Sequence, residues 1–131
     1  MIAVDASAVL AILLQDEEAG RFAQRLAEAG GGAISPVNYW EALIKANRVH
    51  GTAGAALVDE VLAELNVTVS EIDAANARSA AVAFERFRGR PGGRLNLGDS
   101  FAYALAEREG DGLLYKGNDF PKTDVKNALH D

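Results

Sequence analysis

The 131-residue chain carries 13 basic and 19 acidic side chains, a net charge of −6, no cysteine and 49% hydrophobic residues. This describes one folded domain over residues 1–131 with a real core; it excludes a disordered chain, a disulfide scaffold, a thiol nucleophile and a thiolate zinc site. The acidity argues against a simple electrostatic nucleic-acid binder, and no apolar run approaches the ~18 residues of a membrane span.

The opening Met1-Ile2-Ala3-Val4-Asp5 lacks a basic stretch and meets an acid at once. No signal peptide is therefore expected, and a cytoplasmic location is the default. Ile2-Ala3-Val4 reads as a buried strand. Ser7 to Leu14 predicts a helix, almost wholly apolar on its inner side. Asp16, Glu17 and Glu18 are expected in the first turn of a second helix, where the macrodipole favours negative charge. Ala19, Phe22, Ala23 and Leu26 supply its buried stripe, and Gly30-Gly31-Gly32 ends it. Ala33-Ile34 is a candidate second strand. Ser35-Pro36 pairs an N-cap with a proline at the first helical position. That helix is expected to run to about Val49 and stop near Gly51. Val58, Val61, Leu62 and Leu65 mark one face of the next. Val67-Thr68-Val69 reads as a strand, and Asp73 as the cap of a helix with Ala77, Ala80, Phe84 and Phe87 inward.

Arg86 to Arg94 is a Gly/Pro/Arg loop, Gly98 to Glu107 a helix, and Leu113-Leu114-Tyr115 a strand ended by Gly117-Asn118. The tail is expected to add a short helical turn and an edge strand near Val125. Alanine fills 25 of the 131 positions, which favours helix as the bulk of the structure. Strands separated by helices imply parallel crossovers and a sheet covered on both faces. The fold class is thus three-layer α/β/α with a short, mainly parallel central sheet. Ligands in such folds bind at the carboxyl ends of the strands, where strand order switches.

Four acids stand where stability alone would not place them. Asp5 directly follows the first strand. Glu41 interrupts the inward series Val37, Glu41, Ile44. Asp99 sits in the first turn of the Gly98 helix, and Asp119 closes the turn after the last strand. Each has an ordinary explanation: a cap for Asp5, pairing with Lys45 for Glu41, a helix start for Asp99 and a turn for Asp119. Together they could face one crevice. Clustered carboxylates raise each other's pKa unless a cation is bound, and hard ions such as Mg²⁺ or Mn²⁺ take oxygen ligands. Such ions support phosphodiester cleavage. The two histidines, His50 and His130, lie too far apart in the chain to suggest a histidine-rich site.

The sequence resembles PIN-domain ribonucleases, specifically VapC-type toxins of toxin–antitoxin systems. The resemblance spans nearly the whole chain. It is carried by Ile2-Ala3-Val4-Asp5-Ala6-Ser7, by Glu41 in the Ser35-to-Arg48 helix, by the block from Leu95 to Ala106, and by the block from Leu113 to Phe120 followed by Thr123-Asp124. It implies that Asp5, Glu41, Asp99 and Asp119 form an acidic, catalytic pocket that binds Mg²⁺ or Mn²⁺ and cleaves RNA. Ser7 would line that pocket, and Asn118 would be a supporting polar group. The resemblance also implies homodimers and inhibition by a VapB-type antitoxin whose C-terminal segment blocks the pocket. DNA would be bound only through that antitoxin.

The basic residues are uneven. Arg86, Arg88, Arg90 and Arg94 fall just ahead of Asp99 with no acid among them after Arg86, and guanidinium groups on a Gly-rich loop suit phosphate contact. A solvated surface loop is the alternative. Lys116 and Lys122 flank Asp119 and are further candidates for the RNA backbone. Trp40 and Tyr39, beside Glu41, are expected in the core or a subunit interface rather than stacked on a base. Tyr103 is expected in the core, and His50 as a cap or surface group. The apolar helices from Pro36 to Leu65 are a candidate pairing surface.

Two other functions compete. A Mg²⁺-dependent phosphatase with Asp5 as nucleophile would need a second Asp where Ser7 stands. A non-catalytic PIN-like module binding RNA or protein would gain nothing from clustered negative charge.

Overall fold

A computed structural model describes residues 1–89 and 95–129. Four short strands, β1 (Ile2–Val4), β2 (Gly32–Ile34), β3 (Val67–Val69) and β4 (Leu113–Leu114), form a sheet in the order β3-β2-β1-β4. All neighbours are parallel. Parallel neighbours need long crossovers, and here each crossover is a pair of helices. Helices α1 (Ala6–Leu13) and α2 (Ala19–Ala29) join β1 to β2; α3 (Pro36–His50) and α4 (Gly54–Glu64) join β2 to β3; α5 (Ala74–Arg86) and α6 (Leu97–Glu109) join β3 to β4. Strand order proceeds outward from β1 to β3, then returns to place β4 on the other side of β1. The switch point therefore lies between β1 and β4.

The period of two in β1 divides the layers. Ile2 and Val4 pack with Phe22, Leu26, Val58 and Leu62 on one face. Ala3 faces the other way, against a cluster that contains Ala102, Leu105 and Ala106 of α6. The three-layer α/β/α architecture is the one the sequence pattern implies. No helix among the described residues is long and apolar enough to cross a membrane.

The caps largely follow the sequence signals. The Ser35 hydroxyl accepts from Asn38 N, with Pro36 in the first turn of α3. Asp73 and Asn76 form a reciprocal capping box on α5. Gly30 closes α2 in the left-handed conformation at φ 79°, which a residue without a Cβ adopts at little cost.

Several expectations need correction. Helix α2 begins at Ala19, so the acids at 16–18 precede it. Gln15 turns the chain at φ 55°, and Asp16 Oδ1 accepts from Glu18 N at 2.8 Å. The Asp16 side chain satisfies its own turn instead of entering a helix. On α5, Ala80 and Ala83 are buried while Ala77 is exposed. Ala77 instead lines an open apolar hollow with Phe84, Leu97 and Phe101. No strand forms at Val125. The sheet is extended one step later, by a parallel bridge between Leu113 and Asn127. Leu113 N donates to Lys126 O at 2.9 Å, and Ala128 N donates to Leu113 O at 3.0 Å.

Phe22 is fully buried in the cluster under Ile2 and Val4. Phe22→Ala is expected to lower unfolding free energy by about 3–5 kcal/mol in urea titration, because the cavity relaxes only partly.

Candidate active site

The carboxyl ends of β1 and β4 carry two of the chain's unusual acids, Asp5 and Asp119, on the side of the switch point. Asp5 caps α1 immediately after β1 and is only 6% exposed. Its Oδ2 accepts from Ser7 N at 3.0 Å and from Ser7 Oγ at 2.6 Å. The Ser7 hydroxyl in turn accepts from Lys116 N at 2.9 Å, which ties the end of β4 to the start of α1. The capping and pocket-lining readings of Asp5 are thus compatible: one carboxylate oxygen caps, and Oδ1 has no hydrogen-bond partner among the described residues.

Asp99 is also a cap. Its Oδ2 accepts from Asn96 N at 3.2 Å, while the Asn96 side chain accepts from Asp99 N at 2.7 Å. This box fixes the first turn of α6 and again leaves one oxygen without a hydrogen bond among the described residues. Glu41, half-buried on α3, accepts at Oε1 from Asn38 Nδ2 at 2.9 Å. A side chain on Gly98 would collide with the Glu41 carboxylate. The glycine beside Asp99 is therefore what lets α3 present its acid to α6. Asp119 lies exposed in the bend after β4.

These groups sense one another. Burial pushes the Asp99 carboxyl up to about 6; the Asn96 amide opposes this, and the charges of Asp5, Asp119 and Glu41 add to it. Burial likewise raises Asp5, against its two Ser7 bonds and with a further rise from Glu41. Among the described residues, no three acidic or histidine side chains converge as a ready-made metal ligand set. The donor chemistry nonetheless fits a hard divalent cation. The groups are all carboxylates, and among the described residues Asp5, Asp99 and Glu41 each keep an oxygen for which no hydrogen bond is found.

The basic candidates fare unevenly. Arg86 is held within the fold: it donates to Tyr103 Oη at 3.1 Å and to Asp124 Oδ2 at 2.7 Å. The Tyr103 hydroxyl donates to Asp124 as well, so the buried Tyr103 is core with a polar tip. Arg88 is exposed and loosely paired with Glu85 at 3.7 Å. Lys116 Nζ pairs with Asp16. Arg90 and Arg94 lie outside the described residues, as does His130. Asn118 lines a polar hollow with Lys116, Arg21 and Tyr115. Lys122 is half-buried and His50 is exposed at the end of α3.

Trp40 is 61% exposed, so its place is not the core. Tyr39 is half-buried and donates its hydroxyl proton to Asp59. The residue that the sequence pattern missed is Asn38, buried beneath Glu41. A polar side chain three positions before the acid, on the same helix face, was the available signal.

The family model described as PIN domain matches residues 2–126. This chain belongs to the PIN-domain family. Its relatives place it with the VapC type. It is 37% identical over 128 residues to Ribonuclease VapC42 of Mycobacterium tuberculosis, covering 95% of this chain and 97% of that protein. It is 34% identical to VapC ribonuclease R02377 of Rhizobium meliloti, covering 93% and 97%. Among solved structures, the Sarcin-Ricin loop cleaving toxin VapC20 of M. tuberculosis superposes with a TM-score of 0.73. That match covers 96% of this chain and 97% of the other, at 18% identity, and it establishes the shared PIN fold.

A carboxyl raised in the folded state binds more protons than the unfolded chain between its ordinary value and its folded one. Stability of the metal-free PIN domain should therefore fall as pH rises from about 4 to about 6. In EDTA, Asp99→Asn should flatten that fall and raise the melting temperature above wild type at pH 7.5. A wild-type melting temperature that is flat or rising across this window contradicts the assignment.

Proposed function

We propose that this chain is a metal-dependent endoribonuclease toxin of a type II toxin–antitoxin system. It would hydrolyse RNA phosphodiester bonds at the pocket of Asp5, Glu41, Asp99 and Asp119. The observation that carries this reading is the placement of Asp5 at the carboxyl end of β1, Asp99 in the first turn of α6 and Glu41 against Gly98, with the charges of Asp5, Asp119 and Glu41 acting on Asp99. The ribonuclease names of relatives that align along nearly their whole length support it.

Asp5 and Asp99 would offer Mg²⁺ or Mn²⁺ the carboxylate oxygens left over from capping, Asp119 would add a carboxylate from the exposed bend, and Glu41 would complete the pocket. When bound, the cation supplies Lewis acidity and charge neutralisation at the phosphoryl group. Ser7 keeps the Asp5 carboxylate in one rotamer by donating to Oδ2. In hydrolysis a water oxygen bonds to phosphorus and the bond to the leaving ribose oxygen breaks; no side chain of the protein is acylated or phosphorylated. Arg88 and Lys116 are positioned at exposed sites to meet the RNA backbone, with Arg90 and Arg94 following Arg88 in the chain. Asn118 lies beside Asp119 as a polar contact.

The VapC type further implies a VapB-type antitoxin as partner, and DNA contact only through it. A homodimer paired through the Pro36-to-Leu65 helices fits the exposure of Trp40 on α3.

Cleavage of end-labelled RNA by the purified protein should require Mg²⁺ or Mn²⁺ and stop in EDTA. Asp5→Asn and Asp99→Asn should each lower the rate by about 100-fold or more while circular dichroism stays native. EDTA-resistant cleavage in both variants contradicts the proposal.

A further inference from the structure

We propose that Asn38 is a positioning residue. Its buried carboxamide joins Glu41 to the first turn of α6 and so sets where the Glu41 carboxylate stands relative to Asp99. This inference rests on the nuclease reading above and assigns a role within that same site.

Asn38 is completely buried. Its Nδ2 donates to Glu41 Oε1 at 2.9 Å and to Gly98 O at 2.9 Å. Its Oδ1 accepts from Ser35 Oγ at 2.8 Å, and its backbone N donates to the same hydroxyl oxygen at 3.1 Å. The orientation of the amide is forced, because a carboxylate and a carbonyl can only accept. Both amide protons and the amide oxygen are thus used, and no buried side-chain polar atom among the described residues lacks a partner.

The placement has a clear geometric effect. Asn38 and Glu41 are three residues apart and share one face of α3. Gly98 is the neighbour of Asp99 in the chain. One side chain therefore holds both the acid on α3 and the backbone beside the acid on α6. On the far side, the Glu41 carboxylate fills the space that a Cβ on Gly98 would need. Glu41 is clamped between an amide of its own helix and the bare backbone of its neighbour. Hydrogen bonds to a charged group are stronger than neutral ones, and partners that orient a metal-binding group typically change affinity or activity by 10–100-fold.

The test compares the full-length wild type with Asn38→Leu, Gly98→Ala, Glu41→Gln and the Asn38→Leu/Glu41→Gln double variant. Asn38→Leu keeps the volume and removes the donors. Gly98→Ala crowds the same carboxylate while leaving Asn38 intact. Calorimetry reads Mn²⁺ affinity without RNA, and steady-state cleavage of labelled RNA reads kcat and KM per folded protein. Asn38→Leu and Gly98→Ala should each weaken Mn²⁺ binding about tenfold or more and lower kcat, with KM nearly unchanged. In the Glu41→Gln background, Asn38→Leu should cause no further loss, because Asn38 acts through Glu41.

Folded Asn38→Leu protein with wild-type Mn²⁺ affinity and kcat overturns the proposal, even if its melting temperature falls. Full additivity with Glu41→Gln overturns it too. If Asn38→Leu does not fold, Asn38→Ala, which also removes the amide donors, decides by the same two readouts. A wild type that binds Mn²⁺ and cleaves RNA beside unaffected variants removes the positioning role alone. A wild type that does neither removes the nuclease reading as well.

Discussion

Mutual repulsion among carboxylates at the end of β1 is the constraint around which the site is built. Asp5, Glu41, Asp99 and Asp119 come from four separate stretches of chain; the charges of the other three act on Asp99, and that of Glu41 acts on Asp5. Left to themselves, such groups would turn toward water. The fold restrains three of them with hydrogen bonds: Asp5 by Ser7, Asp99 by Asn96 and Glu41 by Asn38. The restraining groups are caps or buried amides, so the bonds that begin the helices also aim the acids. Asp99 is raised chiefly by its burial, with a further rise from the neighbouring carboxylates, so holding it charged carries a stability penalty in the metal-free chain. Binding sites are commonly where a fold carries such strain.

Much of the fold was legible because its signals are local. Ser35-Pro36 and Asp73 mark helix starts by chemistry that needs no tertiary context. Asp5 and Asp99 were legible as acids next to a strand end and a helix start. What was not legible depends on distant partners. Arg86 reads as a phosphate contact by composition, yet Tyr103 and Asp124, 17 and 38 residues away, engage it within the fold. Asp16 reads as a helix-start acid until Lys116 and its own turn claim it. Asn38 reads as an ordinary helical residue; only the approach of Gly98, 60 positions later, reveals its second acceptor. Trp40 reads as core or subunit interface because it is large and apolar, and its exposure on α3 removes the core reading.

The same partnerships bear on how an acidic protein could hold RNA. Lys116 has an ion pair with Asp16, and Arg86 has one with Asp124. Both pairs are exposed enough for water and salt to screen them, and such pairs add little to stability. Lys116 can therefore exchange Asp16 for a phosphate at small expense. Arg86 would also have to leave Tyr103, which makes it the less available of the two. A negative chain can thus present local cations around an acidic centre, and charge neutralisation by a divalent ion removes the main obstacle to a polyanion.

The most direct measurement is an anomalous-scattering map from crystals grown with Mn²⁺ at pH 7.5. The account predicts an ion at the carboxyl end of β1 with oxygens of Asp5 and Asp99 about 2 Å away, and Asp119 drawn in from the bend. Mn²⁺ absent from this crevice at saturating concentration, or held elsewhere while Asp5 and Asp99 keep their metal-free positions, would contradict it.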